Sequence, residues 1–89
     1  MIRVLLVDDE ALVRVGLKSL VSWDELGYEV VGEAASGEAA LTLLDTLRPQ
    51  LMITDIVMPR LNGIELIRIS KKKYPELMLD GVQVIRTSP

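Results

Sequence analysis

Short apolar runs alternate with helix-forming segments along most of this chain. The runs 2–7, 28–34 and 51–54 have the length of strands and are rich in Val, Ile and Leu. The nearly continuous apolar character of residues 2–7 is typical of a strand that is buried on both faces, as in a parallel sheet. Because parallel strands need crossover connections, the alternation predicts an α/β fold in which helices cover both faces of the sheet.

Helical patterns occupy three segments, at residues 11–21, 37–47 and 64–74. The apolar stripe of the first segment consists of Val13, Leu17, Leu20 and Val21. Ser36 is placed to cap the second helix, and Trp23 is expected to anchor the loop before the second strand. Residues 82–86 are predicted to form a fourth strand, so the predicted order is β-α-β-α-β-α-β.

Acidic side chains follow two of the predicted strands. Asp8 and Asp9 come directly after the first strand, and Asp55 comes directly after the third. The carboxyl ends of parallel strands border the ligand crevice of such sheets, so we expect the three carboxylates to meet if these strands are neighbours. Close carboxylates repel one another, and a hard cation such as Mg²⁺ relieves that repulsion. Alternatively, Asp8 or Asp9 only caps the first helix, and Asp55 is only a turn residue.

The absence of two residue types limits the chemistry of such a site. The chain has no His and no Cys, so it offers neither a histidine base nor a thiolate metal ligand. A carboxylate beside a divalent cation can instead attack a phosphoryl group and form an acyl phosphate. No His is needed on this chain if a partner supplies the phosphohistidine.

Length and charge exclude several other classes. A chain of 89 residues predicts at most one small domain, with a thin margin of stability. The formal net charge of −3 lacks the basic face that direct contact with nucleic acid needs. No apolar run approaches the roughly 20 residues that span a bilayer, and the first ten residues do not resemble a signal peptide, so a cytoplasmic location is expected.

Three motifs together resemble the receiver domains of two-component response regulators. They are VLLVDDE at 4–10, SGEAAL at 36–41 and DIVMPRLNG at 55–63. The resemblance covers about residues 2–77 and implies a flavodoxin-like (CheY-like) parallel sheet with strand order 2-1-3-4-5. Residues 23–32 are similar to receivers that are joined to AraC-type DNA-binding domains.

The resemblance also implies roles for individual residues. Asp55 corresponds to the phosphorylated aspartate. Asp9 and Asp55 would bind Mg²⁺ directly, together with the backbone carbonyl of Val57, and Asp8 would bind it through a water molecule. Pro59 and Gly63 would shape the loop after the phosphate acceptor.

The chain departs from the family pattern near its end. Residues 79–81 differ from the segment before strand four, and Thr87 or Ser88 is the candidate for the hydroxyl that contacts the phosphoryl group. Strand five, with its Lys, and helices four and five have no counterpart. We therefore expect residues 1–89 to be an incomplete, C-terminally truncated receiver domain that is marginally stable and cannot run the full switch.

The implied function is phosphorelay signalling. A sensor histidine kinase would donate the phosphoryl group, a receiver homodimer is a possible assembly, and the output would be a process such as transcription, without direct nucleic-acid or membrane contact by this segment. Apart from self-phosphorylation and autodephosphorylation of Asp55, no enzymatic activity is expected.

Three alternatives remain open. The first is a receiver fragment without function. The second is a Mg²⁺-dependent small-molecule phosphatase or phosphotransferase, which would need a second acid or base near Asp55, whereas Val57 stands two residues on. The third is a dinucleotide binder, which would need a glycine-rich turn where residues 8–10 are acidic and would repel phosphate.

Overall fold

A computed structural model describes residues 1–77 as a three-stranded parallel sheet with helices on both faces. The strands are β1 (Ile2–Val7), β2 (Tyr28–Ala34) and β3 (Leu51–Thr54). The helices are α1 (Ala11–Leu20), α2 (Trp23–Leu26), α3 (Gly37–Leu47) and α4 (Gly63–Lys73). The strand order is β2-β1-β3, which confirms the predicted α/β fold and leaves β1 in the centre. The predicted fourth strand, residues 79–81 and Thr87 lie outside the described residues.

The sheet separates two apolar clusters, because successive side chains of β1 point to opposite faces. Leu5 and Val7 belong to the cluster beneath α3 and α4, which also contains Ala40, Leu44, Met52 and Leu66. Val4 and Leu6 belong to the cluster on the other face, against which Leu17 of α1 and Trp23 of α2 pack. Within residues 1–77, no helix has the length and apolarity that crossing a membrane requires.

Helix α1 packs less deeply than its apolar stripe predicts. No residue of α1 is buried, although Val13 and Leu17 are half-buried and Leu17 packs against the sheet. Leu20, which the stripe includes, is 86% exposed, so this part of the prediction was wrong. Leu17, and not Leu20, packs against the apolar cluster on that face of the sheet. The helix also ends one residue earlier than expected, at Leu20.

The segment between α1 and β2 contains the short helix α2, which the pattern did not predict. Gly27 ends this helix with a φ of 79°, a left-handed conformation that glycine adopts at little cost. The indole nitrogen of Trp23 donates a hydrogen bond of 3.2 Å to the carbonyl of Leu17. Its ring centroid lies 6.5 Å from that of Tyr28. The predicted anchoring role of Trp23 is therefore confirmed.

Side chains satisfy the backbone at both ends of α3. The Ser36 hydroxyl accepts a hydrogen bond of 3.0 Å from the amide of Ala39, which confirms the predicted cap. At the other end, the Arg3 guanidinium donates to the carbonyls of Leu47 and Arg48. Because Arg3 lies on β1, this contact ties the end of α3 to the amino-terminal edge of the sheet.

A polar cluster joins α3 to the end of α4. The Tyr74 hydroxyl donates to the Asp45 carboxylate, and Lys73 Nζ lies 3.6 Å from the other oxygen of that carboxylate. The Arg48 guanidinium lies 5.0 Å from the centre of the Tyr74 ring. The hydrogen bond from Tyr74, and then the charge of Lys73, lower the pKa of Asp45. The same hydrogen bond raises the pKa of Tyr74.

We expect Tyr74→Phe to lower the melting temperature most between about pH 4 and pH 10. Because the folded-state pKa of Tyr74 is raised, its contribution is present below the unfolded pKa and is lost as pH rises through the folded value. Because the pKa of Asp45 is lowered, its contribution is lost as pH falls through the folded value. Thermal melts of both proteins across pH measure this difference, and a difference independent of pH would contradict the assignment.

Candidate functional site

The site lies at the carboxyl ends of the central strand and of β3. The amide of Asp8 donates to the carbonyl of Ala34 at 3.0 Å, and the amide of Asp55 donates to the carbonyl of Val7 at 3.0 Å. These bonds continue the strand ladders by one residue, since Val7 pairs with both Ala34 and Thr54. The backbone therefore places Asp8 and Asp55 side by side at one edge of the sheet.

Three successive acids form the turn between β1 and α1, and we call residues 8–10 the acidic turn. Asp8 is buried, Asp9 is half-buried and Glu10 is exposed. One carboxylate oxygen from each lies within 4.8 Å of the others, which is a spacing that could hold a metal ion. The sequence had not indicated Glu10 as a member of this group, and Asp55 lies outside it.

The acidic turn does not cap α1 in the way that was predicted. Glu10, not Asp8 or Asp9, occupies the N-cap position, and its side chain makes no capping hydrogen bond. The Asp8 carboxylate instead accepts a hydrogen bond of 2.9 Å from the Glu10 amide, two residues along the chain. That bond closes a small turn before the helix starts, so the capping interpretation was wrong.

Asp55 is held in place through both its backbone and its side chain. Only 3% of the residue is exposed. One carboxylate oxygen accepts from the amide of Val57 at 3.2 Å, while the buried Thr54 hydroxyl donates to the Asp55 carbonyl at 2.9 Å. The sequence pattern had not indicated Thr54 as a site residue. Its signal was present, since a polar residue at the end of an apolar strand needs a hydrogen-bond partner.

The loop that follows Asp55 returns close to it at the start of α4. The amide of Gly63 donates to the carbonyl of Ile56 at 2.8 Å. A Cβ atom at this glycine would lie 2.1 Å from the carbonyl oxygen of Asp55. Only a residue without a side chain fits there, so the predicted role of Gly63 in shaping the loop is confirmed. The corresponding role of Pro59 stays a prediction.

Two contacts hold this loop against α3. Arg60 Nε lies 3.2 Å from a carboxylate oxygen of Glu38, on the exposed surface. Leu61 covers Gly37 so closely that a Cβ atom on this glycine would lie 2.8 Å from the Leu61 side chain. The motif at 36–41 therefore contacts the loop formed by the motif at 55–63.

Arg14 is a site residue that the sequence analysis missed. Its terminal nitrogen donates to the carbonyl of Asp8 at 2.6 Å, and its Nε donates to the Glu33 carboxylate at 2.8 Å. Lys18 donates to the other oxygen of Glu33. The hydrogen bonds from Lys18, and then Arg14, lower the pKa of Glu33. Arg14 lies four residues, about one turn of helix, after Glu10. An arginine at this spacing can reach back to the acidic turn, and the spacing is the signal that could have identified it.

A narrow cleft lies beside the acids. Its lining includes Asp8, Arg14, Thr54 and Asp55, and its volume is about 10 Å³. This space admits about one water molecule, whereas small-molecule sites usually measure several hundred Å³. The buried side of the site is therefore closed to a small organic substrate, and a reactant must approach from the solvent edge.

Comparison with known proteins identifies a family that this chain matches. A family model described as "Response regulator receiver domain" matches residues 4–86. Response regulator GacA of Pseudomonas protegens is 38% identical over 89 residues, which cover 100% of this chain and 41% of that protein. A protein-glutamate methylesterase/protein-glutamine glutaminase of Pyrococcus abyssi is 45% identical over 74 residues, which cover 83% of this chain and 20% of that protein.

A solved structure supports the same relationship. The two-component transcriptional regulator AraC of Clostridium phytofermentans superimposes with a TM-score of 0.84 and 29% identity, over 98% of this chain and 80% of that one. This neighbour agrees with the resemblance that residues 23–32 indicated. The chain spans less than half of the length of the two curated relatives.

We expect Gly63→Ala to destabilise the protein by roughly 1–3 kcal/mol, because the added methyl group overlaps backbone atoms that cannot move independently. Gly16→Ala is the matched control. A Cβ at Gly16 meets nothing within 4 Å, so alanine should stabilise α1 by up to about 1 kcal/mol. Urea unfolding measures both changes. Equal stability of the two variants would show that the close approach at Gly63 is not a constraint.

Proposed function

This chain belongs to the family of response regulator receiver domains, the receivers of two-component systems, and we propose that it accepts a phosphoryl group on Asp55. One observation carries the assignment. The hydrogen bond from the Asp55 amide to the Val7 carbonyl sets this buried carboxylate beside the acidic turn at the carboxyl edge of the sheet. Nucleophile and metal-binding candidates of the predicted kind therefore lie on neighbouring strands.

The proposed donor is a phosphohistidine on a sensor histidine kinase. A carboxylate oxygen of Asp55 attacks the phosphorus atom, and the phosphorus–nitrogen bond breaks. The electron pair of that bond remains on the imidazole nitrogen, which then takes up a proton. The product is an acyl phosphate, which water hydrolyses to restore the carboxylate. The Val57 amide orients the carboxylate by donating to one of its oxygens.

The residues at this edge fit Mg²⁺. All the candidate ligands are oxygen atoms, and two of them, the carboxylates of Asp8 and Asp9, belong to the acidic turn, where close like charges repel one another unless a cation or proton intervenes. The proposed direct ligands are Asp9, Asp55 and the carbonyl of Val57, with Asp8 acting through a water molecule. When bound, the ion neutralises charge on the transferring phosphoryl group.

The wider roles are proposals of the same kind. Thr87 is the candidate for the hydroxyl that contacts the phosphoryl group. A receiver homodimer is a possible assembly, and the cytoplasm is the proposed location. The relatives include proteins named as transcriptional regulators, which supports an output such as transcription.

The alternative of a small-molecule phosphatase finds less support. Val57 occupies the position where a second acid would be expected, and its side chain is 60% exposed without any ionisable group. The methylesterase relative does not favour an enzyme either, because the similarity covers only 20% of its length.

We expect the purified chain to gain one phosphoryl group when it is incubated with Mg²⁺ and acetyl phosphate. The adduct should be labile to hydroxylamine, as an acyl phosphate is, and mass spectrometry detects both changes. Asp55→Asn should abolish labelling because an amide is a poor nucleophile. Asp24→Asn, at an exposed position of α2, is the matched control and should retain it. Labelling that persists in Asp55→Asn would refute the assignment.

We expect Mg²⁺ to bind weakly, because it keeps most of its water ligands. Asp8→Ala, which removes a ligand that acts through water, should weaken binding about 10-fold, and Asp9→Ala should weaken it more. Glu10→Ala, in the same turn but outside the proposed ligand set, should leave the affinity close to that of the wild type. Calorimetric titration measures these affinities, and equal losses in all three variants would contradict the separate roles.

A further inference from the structure

We propose that Arg14 is a positioning residue for the metal site, because it fixes the peptide between Asp8 and Asp9. This inference rests on the proposed function, since it concerns how the same acids are held. Arg14 would not touch the ion or the phosphoryl group. It would act through the backbone that carries the two carboxylates.

The hydrogen bonds around Asp8 carry the argument. Its amide donates to Ala34, its carboxylate accepts from Glu10, and its carbonyl accepts from Arg14 at 2.6 Å. The Arg14 contact reaches the peptide unit that Asp8 shares with Asp9. Rotation of that unit would move the Asp9 side chain relative to Asp8. A rigid donor on this carbonyl therefore limits the separation of the two carboxylates.

The guanidinium is itself held from its other side. Its Nε donates to Glu33, a residue of β2, so the side chain spans from the neighbouring strand to the acidic turn. Only 16% of the Arg14 side chain is exposed. Water and salt therefore screen the ion pair between Arg14 and Glu33 less than they screen an ion pair on the open surface. A planar group with several donors suits two acceptors at once, and a lysine ammonium on a flexible stem does not.

The packing of α1 gives such a contact a role. No residue of α1 is buried, so apolar contacts alone do not hold the start of this helix tightly against the sheet. The three acids of the turn also repel one another. Without Arg14, the turn could relax to separate these charges, and the ion would then have to reassemble it on binding. That cost would appear as lost affinity.

The test compares three variants of the whole chain by calorimetric titration with Mg²⁺ alone. Arg14→Met keeps the apolar stem and should lose about 10-fold in affinity, the effect typical of residues that support metal ligands. Lys18→Met is the matched control, because it removes the other cation on Glu33 without touching Asp8, and it should bind as the wild type does. Arg14→Lys should fall between Arg14→Met and the wild type.

A second readout needs no metal. The amide resonance of Glu10, which reports the hydrogen bond to the Asp8 carboxylate, should shift in Arg14→Met and not in Lys18→Met. If Arg14→Met does not fold, Arg14→Lys decides, and wild-type affinity in that variant overturns the proposal. Wild-type affinity in Arg14→Met, or an equal loss in Lys18→Met, also overturns it. A wild-type chain that binds no Mg²⁺ instead refutes the proposed metal site on which this inference rests.

Discussion

The structure depends on the burial of β1 between two strands and two apolar clusters. Leu5 and Val7 face one cluster, Val4 and Leu6 face the other, and none of the four is more than 2% exposed. A shift of the pairing by one residue would exchange these faces, so the register is strongly determined. Because Asp8 follows Val7 directly, the same register sets the first acid beside Asp55. Core packing and site geometry therefore share one cause.

Acidic side chains at one edge of the sheet repel one another, and the surrounding hydrogen bonds hold them in place against that repulsion. The amides of Asp8 and Asp55 donate to neighbouring strands and hold the strand ends. The Thr54 hydroxyl donates to the Asp55 carbonyl, and Arg14 donates to the Asp8 carbonyl. Most of these groups are buried, where such hydrogen bonds are less screened by water than those at the surface. The close return of the chain at Gly63 completes the arrangement from the other side of Asp55. The fold thus keeps the acids of the candidate site together in advance of any ligand.

Sequence patterns predicted the strands well and some helical features poorly. The first and third strands ended as expected because an acidic residue follows each of them directly, after Val7 and after Thr54. The stripe of α1 included Leu20 in error, since periodicity reports which side of a helix is apolar and not how far a neighbouring element extends. The helix of four residues at Trp23–Leu26 is shorter than the window that periodicity needs. The capping prediction at the acidic turn failed because a carboxylate can bond to several nearby amides.

The sequence alone determined the alternation of the three described strands with helices α1, α3 and α4, the parallel sheet, the Ser36 cap and the candidate acids Asp8, Asp9 and Asp55. These follow from local periodicity and from the rule that parallel strands gather their carboxyl ends at one edge. Only the tertiary structure decided that Arg14 joins Glu33 to the Asp8 carbonyl, that Thr54 supports Asp55, and that Gly63 passes within contact of it. Such contacts depend on the packing of elements that are distant along the chain. A difference of one or two ångströms in that packing makes or breaks a hydrogen bond, and no periodic pattern reports distances on that scale.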